Sequence, residues 1–226
     1  MITDFANGNL IITLYLLHFV FSLFAAELRN LRLSILAIVI QSLFLATILA
    51  AFAVISDNPT LYWWSLTALI TKVILIPYLL WRYVRQLPTA ETRPWLSTGP
   101  SVAVMLILAI VIYGFLHTNV EFIAPSIQAS MEPARSNLAL SLTICTLGLW
   151  VLVVRKDAVK AVIGLVLLEN GVHLSLVTLA PTLPETTILG IVSNVIITVW
   201  LLVYLAGRIY QTFGTTDTST LSELKH

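Results

Sequence analysis

Charge is what this chain has least of. Only 10% of its 226 residues are charged, against about 25% in soluble domains. So few charges cannot clothe a folded core of this size in water. A net charge of +1 removes the electrostatic basis for a nucleic-acid binder. The lone cysteine, Cys145, cannot close an internal disulfide or build a thiolate metal site. Phosphate-binding glycine loops, H-E-x-x-H and the nucleophile elbow are missing too. A catalyst acting alone has no visible reactive constellation here.

What the chain has in abundance is apolar length. Hydrophobic residues make up 58% of it, and mean hydropathy is +0.96. A bilayer core satisfies no backbone group, so an all-α polytopic membrane fold follows. Seven stretches reach the roughly 20 residues that a span needs: 7–26, 33–55, 61–81, 99–117, 137–154, 158–179 and 187–206. They form a single integral membrane domain, 1–226. Asp57-Asn58-Pro59 closes the second span, Pro88 and Pro94 follow the third, and Pro181 and Pro184 part the last two. Trp63, Trp64, Trp81 and Trp95 lie near span ends, the place of interfacial aromatics. The connections are too short for a soluble domain, so any redox centre must come from partners.

Orientation follows from Lys and Arg. Arg29, Arg32, Arg82, Arg85, Arg93, Arg155, Lys156, Lys160, Arg208 and Lys225 share one side, and Arg135 stands on the other. The N-terminus is expected outside and the C-terminus in the cytoplasm.

Ionisable groups inside a span cost about 2.5–3.5 kcal/mol each on insertion scales. Lys72 and Glu169 are fully inside. Glu169 lies nine residues beyond Lys160, roughly 13 Å deep at the helical rise. Counted the same way, Lys72, His18, Gln41 and Asn194 fall near that layer, and His173 shares a helix face with Glu169. Desolvation disfavours the charged form of an acid and of an amine alike. A close pair can therefore share a proton, with neighbouring charge moving the balance. At 100 mV a full charge crossing involves about 2.3 kcal/mol, a scale that such shifts match. The candidate proton pathway is Glu169, Lys72, His173, Asn194, Gln41 and His18. Each also has an ordinary reading: interhelical hydrogen bonding for the neutral residues, a buried structural ion pair for Lys72 and Glu169. Bis-histidine haem ligation is disfavoured, because residue counting puts His173 about 20 Å and His18 about 12 Å from the basic side.

Residue by residue, the chain resembles component E of hydrogenase-4, an integral subunit of complex I-like, membrane-bound [NiFe] hydrogenases. The resemblance rests on Gln41-Ser42-Leu43, Thr71-Lys72-Val73 with Pro77, Glu169-Asn170-Gly171 with His173-Leu174, and Gly214-Thr215 with Asp217. It implies a non-catalytic subunit, without cofactor of its own, in a cell inner (plasma) membrane. The implied assembly is like formate hydrogenlyase: antiporter-like subunits, a quinone-site-like membrane subunit, and a peripheral [NiFe] arm with iron–sulfur clusters. Residues 137–226 also look like the three-helix subunit K (4L) of complex I. Where that subunit reads G-L-E, this chain has Gly164-Leu165-Val166, with the carboxylate at Glu169. Asn194 stands about where component E carries an acid. A structural subunit and a stand-alone small transporter are the rival readings.

Overall fold

The computed structural model describes residues 8–87, 98–180 and 185–216. Seven of its helices are long and apolar enough to cross a membrane. They are α1 (Gly8–Glu27), α2 (Leu31–Ser56), α3 (Pro59–Val84), α4 (Thr98–Thr118), α5 (Ala134–Val154), α6 (Ala158–Leu179) and α7 (Glu185–Phe213). Two short helical turns, Val120–Ile123 and Ile127–Ser130, fill the connection from α4 to α5. Trp95, Pro88, Pro94, Pro181, Pro184 and Asp217 lie outside the described residues.

Side-chain acceptors start the helices. Asn30 takes hydrogen bonds from the Arg32 and Leu33 amides at the head of α2, and Asp157 from those of Val159 and Lys160 at the head of α6. At the end of α2, Asp57 adopts φ 49° and returns its N–H to the Ala53 carbonyl. Asn58 then caps α3, with Pro59 opening it. Gly214, at φ 68°, stops α7 and turns the chain back. The Thr216 hydroxyl thereby reaches Asp157 at 2.5 Å, and the Thr216 carbonyl accepts the Ala158 amide at 3.0 Å. Gly214→Val should cost about 1–2 kcal/mol at that left-handed position. It is expected to loosen the tail, which limited proteolysis would register as faster cleavage beyond α7.

Span three is not a regular helix. Leu69–Leu75 winds as a π-helix, with the Ile76 amide bonding to the Thr71 carbonyl. The Pro77 ring would collide with the carbonyl four residues back, and Pro77 has no N–H to give it. The wider turn just before it resolves that conflict. A bend at Pro77 follows from the sequence; the extra residue wound into Leu69–Leu75, which carries Lys72, does not.

Packing divides the helices into a core and a rim. α1, α2, α3, α5 and α6 enclose the buried residues, whereas α4 and α7 leave most of their length exposed. The tightest pair is α5 with α6, where Gly148, Gly164 and Gly171 let backbones touch. Asn137 clamps the same pair by donating to the Leu174 carbonyl at 2.7 Å and to Thr178 at 2.9 Å.

At the arginine-rich end, two basic residues near span ends are buried. Arg155 pairs with Glu27 at 2.7 Å, and Ser101 donates to the same carboxylate at 2.7 Å. Lys160 lies inside the first turn of α6. Its ammonium donates to the carbonyls of Ala25 and Ala26 and to the Ser34 hydroxyl at 2.8–3.2 Å. The last carbonyls of α1 have no partner within their own helix, and a cation is the favoured one there. Both residues thus tie the ends of α1, α4, α5 and α6 together rather than decorating a loop.

Candidate functional site

The buried ionisable groups meet between α3 and α6. The π-turn presents Lys72 inward, 2% exposed. Its ammonium donates to Asn170 Oδ1 at 2.6 Å and to His173 Nδ1 at 2.6 Å. Glu169 Oε1 lies 3.4 Å from the same nitrogen and 3.4 Å from His173 Nδ1. The carboxylate is an ion-pair partner, but Oε1 makes no hydrogen bond. The short contacts of Lys72 all go to neutral acceptors. Since His173 Nδ1 accepts from Lys72, the ring proton belongs on Nε2. The ring lies edge-on to Trp64, with centroids 5.9 Å apart. Trp64 is therefore not an interfacial anchor: it is 1% exposed and walls the site.

From this triad a file of amides runs across the bundle. Asn170 Nδ2 donates to Gln41 Oε1 at 2.6 Å and reaches Ser42 Oγ at 3.4 Å. Gln41 Nε2 donates to His18 Nε2 at 3.1 Å and to Ser22 Oγ at 3.3 Å. His18 Nδ1–H then donates to the Gln41 backbone carbonyl at 2.9 Å. The side-chain donors run from Lys72 on α3 through Asn170 on α6 and Gln41 on α2 to His18 on α1, and His18 closes the file by donating back to the backbone of α2. The amides of Asn170 and Gln41 each both donate and accept in this file, the condition under which buried polar groups specify one packing.

Five of the six candidates thus converge on one network. Asn194 does not join it: its side chain is exposed on the outer face of α7. The hub, Asn170, carries no role in the sequence reading. The available signal was its spacing, since Asn170 and His173 stand three apart on one helix face. Among the network's members Glu169 has the widest opening to the surface, at 16% exposure, while His18, Gln41, Ser22, Ser42 and Asn170 are fully buried.

What can this arrangement do chemically? Lys72, His173 and Glu169 each bind or release a proton, and they lie within 3.4 Å of one another. The Asn170 and Gln41 amides accept and donate hydrogen bonds but hold no exchangeable charge near neutral pH. The amide file fixes the geometry of the three titratable groups it adjoins.

Comparison with known proteins agrees with the architecture. Residues 136–226 match the family model of NADH-ubiquinone/plastoquinone oxidoreductase chain 4L. Hydrogenase-4 component E of Escherichia coli K12 is 32% identical over 90% of this chain and 92% of its own length. The Shigella flexneri component E gives the same figures, 32%, 90% and 92%. Protein Rv0085 of Mycobacterium tuberculosis is 24% identical over 100% of this chain and 96% of its own. No solved structure matches. With seven apolar helices, near-complete coverage and the markers of spans two, three and six inside one network, the chain belongs to the hydrogenase-4 component E family.

Proposed function

We propose that this chain is a non-catalytic subunit of a complex I-like hydrogenase that exchanges protons at the Glu169–Lys72–His173 triad. Its arginine-rich end faces the cytoplasm of a cell inner membrane. Its neighbours are antiporter-like and quinone-site-like membrane subunits, and the [NiFe] centre and iron–sulfur clusters belong to a peripheral arm. The observation that carries the proposal is the 16% exposure of Glu169 at the edge of a network whose ammonium, Lys72, is 2% exposed. Charge reaches the buried amine through that carboxylate.

The steps follow from the contacts. A proton taken up by Glu169 neutralises the carboxylate and removes the counter-charge of Lys72. The ammonium, 2.6 Å from His173 Nδ1, then passes a proton along that contact, leaving a neutral amine and an imidazolium. Loss of the proton from Glu169 restores the ion pair and draws the His173 proton back. Redox events in partner subunits bias this exchange by moving charge near Glu169.

Glu169→Gln keeps the shape and removes the titration. In the whole complex, reconstituted into vesicles, proton translocation should fall by about tenfold or more, on the scale of lost proton-transfer groups. Hydrogen oxidation with an artificial electron acceptor should be unchanged. Translocation at the unaltered rate would overturn the proposal.

A further inference from the structure

Between the ends of α3 and α7, at the arginine-rich end, lies a cavity of about 490 Å³. The proton-exchange reading makes no use of it. Its floor is apolar, from Leu79 and Val203, and its rim holds Arg82, Arg208, Gln86 and Gln211. Among the described residues neither Arg82 nor Arg208 pairs with a carboxylate. Arg85, one turn along, is spent over the Trp81 ring at 5.7 Å. Tyr83 lines the same cavity, packed against the bare Cα of Gly207, and its hydroxyl is buried without a hydrogen-bond partner.

Two guanidinium groups and two carboxamides thus line the cavity with no carboxylate among its lining residues. Guanidinium geometry suits phosphate oxygens, which accept paired N–H groups. The apolar floor continues into exposed bilayer-facing side chains, Tyr78 on α3 and Trp200, Leu201 and Tyr204 on α7. A basic pocket between membrane helices where they leave the bilayer is a setting for anionic headgroups. We infer that this cavity binds the phosphate of an anionic phospholipid, with Arg82 and Arg208 on the phosphate and the acyl chains lying along α3 and α7. The lipid would then join the rim helix α7 to the core.

The test uses the full chain, delipidated in detergent, with native mass spectrometry counting bound phosphatidylglycerol against phosphatidylcholine. The unaltered chain should retain phosphatidylglycerol and release phosphatidylcholine. Arg82→Gln and Arg208→Gln alter exposed side chains, and each should weaken phosphatidylglycerol binding by about tenfold, the scale of one charge-assisted contact. Equal retention of the two lipids, or full phosphatidylglycerol binding by the double arginine variant, would overturn the inference. So would displacement of the lipid by millimolar inorganic phosphate, which would identify a free-anion site instead.

Discussion

Lys72→Met and Glu169→Leu, made together, are expected to fold nearly as well as the unaltered chain and to translocate no protons. Made singly, each should be far more damaging to stability. Removing one partner of a buried ion pair leaves a charge without compensation, a loss of about 3–5 kcal/mol, whereas removing both is often close to neutral. The acceptors narrow that asymmetry. Lys72 donates its short hydrogen bonds to Asn170 and His173, so the double variant still orphans Asn170 Oδ1. A residual loss of about 1–3 kcal/mol is expected from that atom. Thermal unfolding of the purified chain in detergent, arranged as a double-mutant cycle, gives the stabilities. Vesicle assays on the whole complex give translocation. A purely structural pair predicts the opposite coupling result: stability and translocation return together in the double variant.

The second large effect lies on the opposite face of α6. Gly171→Val should prevent α5 and α6 from closing, with loss of folded protein rather than of coupling. A Cβ at Gly171 would stand 2.6 Å from Cys145 Sγ and 2.6 Å from the Ser141 carbonyl. At Gly148 it would stand 2.5 Å from the Leu168 amide nitrogen and 2.7 Å from the Gly164 carbonyl. Backbone atoms cannot step aside, so even Gly148→Ala is expected to cost about 3 kcal/mol, the upper range of overpacking. Gly190 on α7 is the control, with nothing within 4 Å. Gly190→Ala should stabilise slightly, by about 0.5–1 kcal/mol, through helix propensity alone. Yield and melting temperature of the three variants in detergent decide the matter; equal behaviour at Gly148 and Gly190 would remove close backbone approach as the cause.

How far the sequence could be read depended on which coordinate a residue count supplies. Counting at a fixed rise gives depth, and depth brought Lys72, Glu169, Gln41 and His18 to one layer before any contact was known. It gives no azimuth. Nothing in a residue count says which side of α7 is packed, and Asn194 sits on the exposed one. Asn170 escaped for a related reason: beside a glutamate in a membrane helix, a neutral amide draws no attention until its two ends are seen to bond to different helices. In the sequence Lys160 and Arg155 count only towards orientation, and charges at span ends are usually solvated. That rule overlooks the unpaired carbonyls of a neighbouring helix end, and the Ala25 and Ala26 carbonyls take Lys160 instead.

The π-turn at Leu69–Leu75 also sets the phase of everything after it. One residue of a helix corresponds to about 100° of rotation. Pro59–Ala68 and Ile76–Val84 are therefore two screws cut with an offset between their threads, not one continuous rod. A single-codon deletion inside the turn would straighten the segment and swing Tyr83 away from Gly207. Span length would hardly change, yet the second half of the helix would address a different set of neighbours.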